Sequence, residues 1–310
     1  MVARRGRAVV AVVHCNLKRR LSIAVCCDAK EALIYVGEEA RARLTHRAAL
    51  ATQVMNQSFP KLLTLDFLMM SLRVRLSIIV PLLNEQQRLR SHLLPSIARL
   101  YQHAKARGLP YDIEWIFVDG ASTDDGNDLV RTQPAEYRCR LIGSERGRAI
   151  QMNHGAAHAR GTTLLFLHAD CVLPDDLFAV LDQLQQARWG CFIIRLRPCP
   201  GILPWVERGI NWRVRARAVA TGDQAMFVSA DVFSRLGGYT VIPLMEDMEL
   251  SRRLRKIAKP FIVLSPVEVD SRRWLKKGVA ITVVHMWFIQ WCYFLGVAPE
   301  RLYRWYYNKT

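Results

Sequence analysis

The sequence predicts an α/β protein built on an open, mostly parallel sheet with helices on both faces. Strand-patterned and helix-patterned segments alternate from residue 76 onward, the signature of repeated strand–helix units joined by right-handed crossovers. The strand segments LSIIV (76–80), IEWIFVD (113–119) and LLFLH (164–168) are continuously apolar, as expected of strands covered on both faces. Polar and charged residues gather where those segments stop, and open α/β sheets hold their ligands beyond the carboxyl ends of strands. A chain of 310 residues, 51% of them hydrophobic, suffices for one large domain plus an appendage.

Residues 1–68 lack the regular pattern of the remainder of the chain. Short apolar patches (AVVAVV, SIAVCC, ALIYVG) are broken by basic clusters such as LKRRL, and no period of 2 or 3.6 persists. Ala8–Val13 is too short for a secretory core, six residues against roughly 7–15. An N-terminal extension is expected over 1–68, either a misassigned leader before Met69 or Met70 or a poorly ordered one. The alternative is a small basic appendage that touches membrane or partner.

After LSIIV, the spacing of Leu89, Leu93, Ile97 and Leu100 predicts a helix over about 86–106. IEWIFVD is the second strand, with a short helix near 124–131. RCRLI (138–142) is the third strand, followed by a helix from about 148 to 159. LLFLH is the fourth, then a helix over about 175–187 opened by Pro174, Asp175 and Asp176. CFIIRLR (191–197) is the fifth. Beyond it come a helix over about 204–219, a strand at MFVS (226–229), a helical stretch at 230–236, a helix from about 246 and a last strand, FIVL (261–264).

The net charge of +17 and a pI near 10 suit phosphate-bearing small molecules, anionic lipid or nucleic acid. The basic residues are scattered and no nucleic-acid motif is present, which argues against nucleic acid as partner. The eight cysteines form no CxxC pair and read as reduced thiols of a cytoplasmic protein. From Gly278 to Pro299 no residue is formally charged, with Arg272, Arg273, Lys276 and Lys277 before and Arg301 and Arg304 after. Such a segment can span, lie on or avoid a membrane; the basic flanks favour the inner, anionic face.

Several stretches can carry chemistry. Pro81 stops the first strand, and Asn84 and Glu85 open the next helix, as a cap or with their edges toward a base or ribose. Asp119 ends the second strand in VDGASTDD (118–125), where it can cap a turn or accept a ribose hydroxyl. Arg146 and Arg148 flank Gly147 at a helix start, where cations oppose the dipole but favour a bound phosphate. His168-Ala169-Asp170 ends the fourth strand and offers one carboxylate and one imidazole to Mn²⁺ or Mg²⁺. Asp247, in IPLMEDMEL (242–250), lies on the inward side of its helix and is a candidate general base; Glu246 points about 100° away. Arg273 and Trp274 come after the last strand and could close over a diphosphate.

Together, PLLNE, VDGASTD, the arginine segment, the D-x-D-like turn, MED and an Arg-Trp pair resemble, in order, glycosyltransferase family 2 and its GT-A fold. The resemblance covers about 76–275. The runs GRAIQMNHGA, GDQAMFV (222–228) and IPLMEDMELSRRL (242–254) are similar to one bacterial subgroup, whose likeness continues to about 307. It implies a glycosyltransferase domain over 69–275, with C-terminal apolar helices over 276–310. The implied activity is metal-assisted, inverting transfer of a sugar from a nucleotide-diphosphate sugar to an acceptor hydroxyl, one that a lipid could carry. Pro81, Asn84, Glu85, Asp119, Arg146 and Arg148, with Arg273 and Trp274, would hold the nucleotide. Asp170 would bind the metal and Asp247 would deprotonate the acceptor. Asp223, Gln224 and Glu246 would line the acceptor side. His168 stands where the family usually has an acid, and either hydrogen-bonds the nucleotide or joins the metal. Asp270 stands where the family's Q-x-x-R-W motif has glutamine. The rival readings are a non-catalytic nucleotide- or nucleic-acid-binding protein, and a sugar nucleotidyltransferase, whose Gly-rich loop PLLNEQQ lacks.

Overall fold

The computed structural model describes residues 2–5, 8–15, 21–28, 31–36 and 75–307, except 110, 111, 273, 274, 276 and 277. The chain divides into two units, Met1–Met69 and Met70–Thr310. In the first, β1 (Val2–Arg5), β2 (Ala8–Cys15), β3 (Leu21–Asp28) and β4 (Glu31–Val36) pair consecutively as an antiparallel sheet. Sequence periodicity shows none of these strands, because no alternation persists and basic residues break the runs.

In the second unit, β5 (Leu76–Leu82) leads through a helical turn (Gln86–Arg88) and a π-helical turn (Leu89–Leu93) into α1 (Leu94–Ala106). Next come β6 (Ile113–Asp119), α2 (Gly126–Arg131), β7 (Cys139–Gly143), α3 (Arg148–Ala157), β8 (Thr163–Phe166) and β9 (Cys171–Val172). Then come α4 (Leu177–Gln186), β10 (Trp189–Arg197), α5 (Leu203–Arg217), β11 (Phe227–Ser229) and α6 (Ala230–Arg235). Last are α7 (Glu246–Leu254), β12 (Phe261–Asp270), α8 (Val279–Phe294) and α9 (Pro299–Tyr307).

The strands form one open sheet in the order β7-β6-β5-β8-β11-β10-β12-β9. Pairs β5–β6, β5–β8, β6–β7 and β10–β12 are parallel. β11 runs antiparallel between β8 and β10, and the two-residue β9 runs antiparallel to β12. The mostly parallel α/β sheet is as expected. The strand expected at 226–229 is present as β11, but the sequence pattern does not give its antiparallel direction; β9, with two residues, is too short to register as a period.

Continuous apolarity in the strands has a direct packing cause. Ile78 and Val80 bury into one core, together with Ile97 of α1 and Leu181 of α4, while Ile79 buries into the other, with Met152 and Leu250. In β6 the alternation repeats, Trp115 and Phe117 against Ile116 and Val118. Each such side chain contributes about 1.5–3 kcal/mol of burial, on either face.

Candidate functional site

The carboxyl ends of β5, β6 and β8 stop side by side, and Gln151 of α3 ties two of them. Its amide nitrogen donates to the carbonyls of Leu82 (2.7 Å) and Val118 (2.8 Å). Asn84 joins the loops beyond: its backbone N–H donates to Ser122 Oγ (3.0 Å) and its Oδ1 accepts from the Thr123 N–H (2.8 Å). Asn84 (φ 54°) and Ala121 (φ 65°) both adopt the left-handed conformation, which is uncommon for non-glycine residues and clusters at functional sites. Asp119 accepts from the Ser122 N–H at 3.1 Å. Burial pushes its pKa up, but hydrogen bonds from Ser122, Asn127 and Ala121 win, so the net shift is downward. Pro81 lies within β5, pairing with Val118. Glu85 forms an ion pair with Arg88. Arg88 also feels the charges of Asp170 and Asp270, and its pKa is raised despite burial. Arg146 is exposed before α3. Arg273 and Trp274 lie outside the described residues.

The antiparallel β11 brings the second group together. Phe227 pairs with Leu165 and Ser229 with Thr163, so the residues just before β11 meet those just after β8. Asp223 therefore reaches His168, with Oδ1 3.3 Å from Nδ1. His168, Asp170 and Asp223 offer ligand atoms all within 4.8 Å of one another. At His168 burial and Arg148 push the pKa down, but Asp223 and Asp170 outweigh them and the net shift is upward. Asp223 moves down: burial opposes ionisation, and His168, Arg148 and Arg213 favour it.

Gly222 connects this cluster to α7. A Cβ added there would lie 2.5 Å from His168 Nε2, so any larger residue would have to move the ring or the turn. Its N–H donates to Asp247 Oδ2 at 2.7 Å, while the Met248 N–H donates to Oδ1 at 2.6 Å. Met245, the residue before α7, is left-handed at φ 71°.

Two acceptor-side expectations change. Gln224 has no exposed surface; its Oε1 accepts from the Thr221 N–H (3.2 Å) and its amide donates to the Phe192 carbonyl (3.4 Å). It therefore braces the 222–224 turn from beneath and lines nothing. Glu246, expected to point away from the inward side, is only 2% exposed and pairs with Arg148 at 3.3 Å. Both acids at the start of α7 find partners within the protein, Glu246 at Arg148 and Asp247 at the Gly222 N–H. Burial pushes the Glu246 pKa up and Asp247 adds to it, against the pull of Arg148.

Sequence reasoning missed Gln151, Asn153 and Arg213. Asn153 makes a two-way bond with the backbone of Tyr239, at 2.8 Å each way. Arg213 of α5 donates to Thr221 Oγ1 at 3.0 Å beneath the turn. The run GRAIQMN contains the first two, as amide side chains on an otherwise inward helix face, which need buried partners.

Residues 77–199 match the family model described as "Glycosyl transferase family 2". The comparison with curated proteins gives no match. Among solved structures, S. aureus TarS 1-349 in complex with UDP aligns with TM-score 0.50 at 17% identity, over 63% of this chain and 60% of that one. Its complex with UDP-GlcNAc aligns with TM-score 0.50 at 16% identity, over 63% and 58%. A mannosyltransferase from Pyrobaculum calidifontis, in complex with GDP-Man and Mn²⁺, gives 0.48 at 21% identity, over 64% and 56%. The chain spans about 60% of the length of the first of these. The likeness to TarS is one of fold: an open, mostly parallel sheet flanked by helices. Over residues 77–199 the chain is similar to glycosyl transferase family 2, and its sheet has the architecture of the glycosyltransferase structures it aligns with.

Proposed function

We propose that the protein is an inverting glycosyltransferase that moves a sugar from a nucleotide-diphosphate sugar to an acceptor hydroxyl. One observation carries the reading: the His168–Asp170–Asp223 cluster abuts Asp247 through Gly222, at the carboxyl edge of a GT-A sheet. Residues 69–275 are the transferase domain in this reading, and 276–310 its C-terminal helices. The complexes of TarS with UDP and UDP-GlcNAc support a nucleotide-sugar donor.

The donor set suits a divalent cation. Two carboxylates and an imidazole fit Mn²⁺ better than Mg²⁺, which prefers oxygen alone. His168, Asp170 and Asp223 would hold the ion, and when bound it would neutralise charge on the diphosphate. Asn84, Glu85 and Asp119 would meet the nucleoside. Arg146 and Arg148 would meet phosphate. Asp247 would take the proton of the attacking hydroxyl on the side opposite the leaving diphosphate, which inverts the sugar carbon. Its two backbone donors fix the carboxylate in place, as a general base requires. An acceptor carried on lipid, met at the inner face of a membrane, completes the proposal.

Calorimetry with UDP and GDP tests the donor site. Binding of one of them should require Mn²⁺ or Mg²⁺, vanish in Asp170→Ala and weaken less in His168→Ala. Equal affinity with Mn²⁺ and with EDTA would sink the metal assignment.

A further inference from the structure

We infer that α8 and α9 form a surface that rests on an anionic lipid membrane. α8 carries no formally charged residue. Its outward side is apolar: Ile281 (72% exposed), Val284, Trp287 (70%), Trp291 (63%) and Phe294 all face solvent. At the helical rotation per residue they fall within an arc of about 140°. Beside that arc, Ile289 and Cys292 bury against Leu302 of α9 and Leu244 of the loop before α7. An exposed apolar face of this kind marks an interaction surface.

The chemistry points to lipid as the occupant. No helix among the described residues is long and apolar enough to cross a membrane, so α8 would lie in the interface plane with one face immersed. Tryptophan favours the headgroup level, and two tryptophans head this face while Trp305 of α9 stands beside Phe288, ring centroids 6.0 Å apart. Arg301 and Arg304 of α9 are exposed, and the chain carries +17 overall. Cations at such a boundary are drawn to anionic headgroups. A second copy docked face to face would bring two sets of these arginines together, which repel. Leu244 and Met245 pack in the α8–α9 cluster and lead directly into Glu246 and Asp247. The surface therefore adjoins the candidate base; that a lipid-borne acceptor reaches the base from there rests on the transferase reading.

Flotation of the full chain with vesicles tests the surface. Binding to vesicles of phosphatidylcholine mixed with phosphatidylglycerol should exceed binding to phosphatidylcholine alone by at least about tenfold. Trp287→Ser with Trp291→Ser should lose at least about tenfold of that binding while keeping the thermal melt and UDP affinity. Arg301→Glu with Arg304→Glu should erase the preference for the anionic vesicles. No binding to the mixed vesicles, or full binding by the double tryptophan variant, overturns the inference. So does a dimer in solution that the tryptophan variant dissociates, if vesicles are not bound. Vesicle binding without nucleotide binding would leave the surface standing and count against the transferase reading.

Discussion

Two glutamates, Glu114 and Glu246, are each 2% exposed, at opposite edges of the same sheet. Glu114, at the amino end of β6, accepts from Ser77 Oγ (2.6 Å), the Arg160 N–H (2.7 Å) and Arg140 (3.4 Å). Glu246, at the carboxyl edge, has the Arg148 guanidinium at 3.3 Å and a second carboxylate, Asp247, next to it. A buried acid closed by several donors is a joint of the fold. A buried acid set beside other acids is costly by itself, and such arrangements concentrate at functional sites. The difference separates the residues that hold this sheet together from those proposed to act on a ligand.

The largest expected effect is on the acting edge alone. Asp247→Asn is nearly isosteric, so the melt and donor binding should persist while transfer falls by at least about 10²-fold. Once donor and acceptor are identified, initial rates give the answer; a near-wild-type rate would move the base role to Glu246 or Asp223. At the holding edge, Glu114→Ala strands the Ser77 hydroxyl and the Arg160 N–H. Urea unfolding should show a loss of about 1–3 kcal/mol, with UDP affinity of the folded protein unchanged. A parallel loss of affinity would show that the two edges are not independent.

Gly222→Ala should come next. Its Cβ would meet His168 Nε2 at 2.5 Å, so ring or turn must shift. UDP affinity in Mn²⁺ should fall about tenfold, or ~1.4 kcal/mol, and affinity in EDTA should not change. The smallest effect concerns pH. The Glu246 pKa is raised in the folded state, so its ionised form costs stability above that pKa, and the cost vanishes as pH falls below the unfolded value of about 4.3. Glu246→Gln should therefore gain Tm relative to wild type as pH rises from about 5 to 8. A constant Tm difference across that range would mean that Arg148 compensates the charge fully.

Much of the fold was legible because burial on both faces leaves a local mark. The apolar runs ending at Val80, Asp119 and His168 placed three strand ends, and with them Asn84, Asp119 and Asp170. The features that could not be read depend on partners distant in sequence. The strand at 226–229 is legible, but its antiparallel direction, which brings Asp223 to His168, is not. Asp223 was accordingly placed with the acceptor and not with the metal candidates. Gln224 looked like a surface polar residue because nothing local announces Arg213 beneath it. Ideal helix geometry turns Glu246 away from Asp247's side, but nothing local announces Arg148, the partner that accompanies its burial. The family resemblance supplied the order of the motifs; the match over 77–199 bears out that resemblance, while the roles of individual residues remain proposals.

Leu244 bears on how this protein could be trimmed. It is 8% exposed and shares its contacts with Ile289, Cys292 and Leu302, just upstream of Glu246. An engineer seeking a better-behaved enzyme would be tempted to cut the chain after β12 and discard the sticky aromatic tail. That cut would strip the cover from Leu244 and unfasten the segment that delivers Asp247. The tail is a fastener, and shaving its outward aromatics while sparing Ile289 and Leu302 is the safer edit.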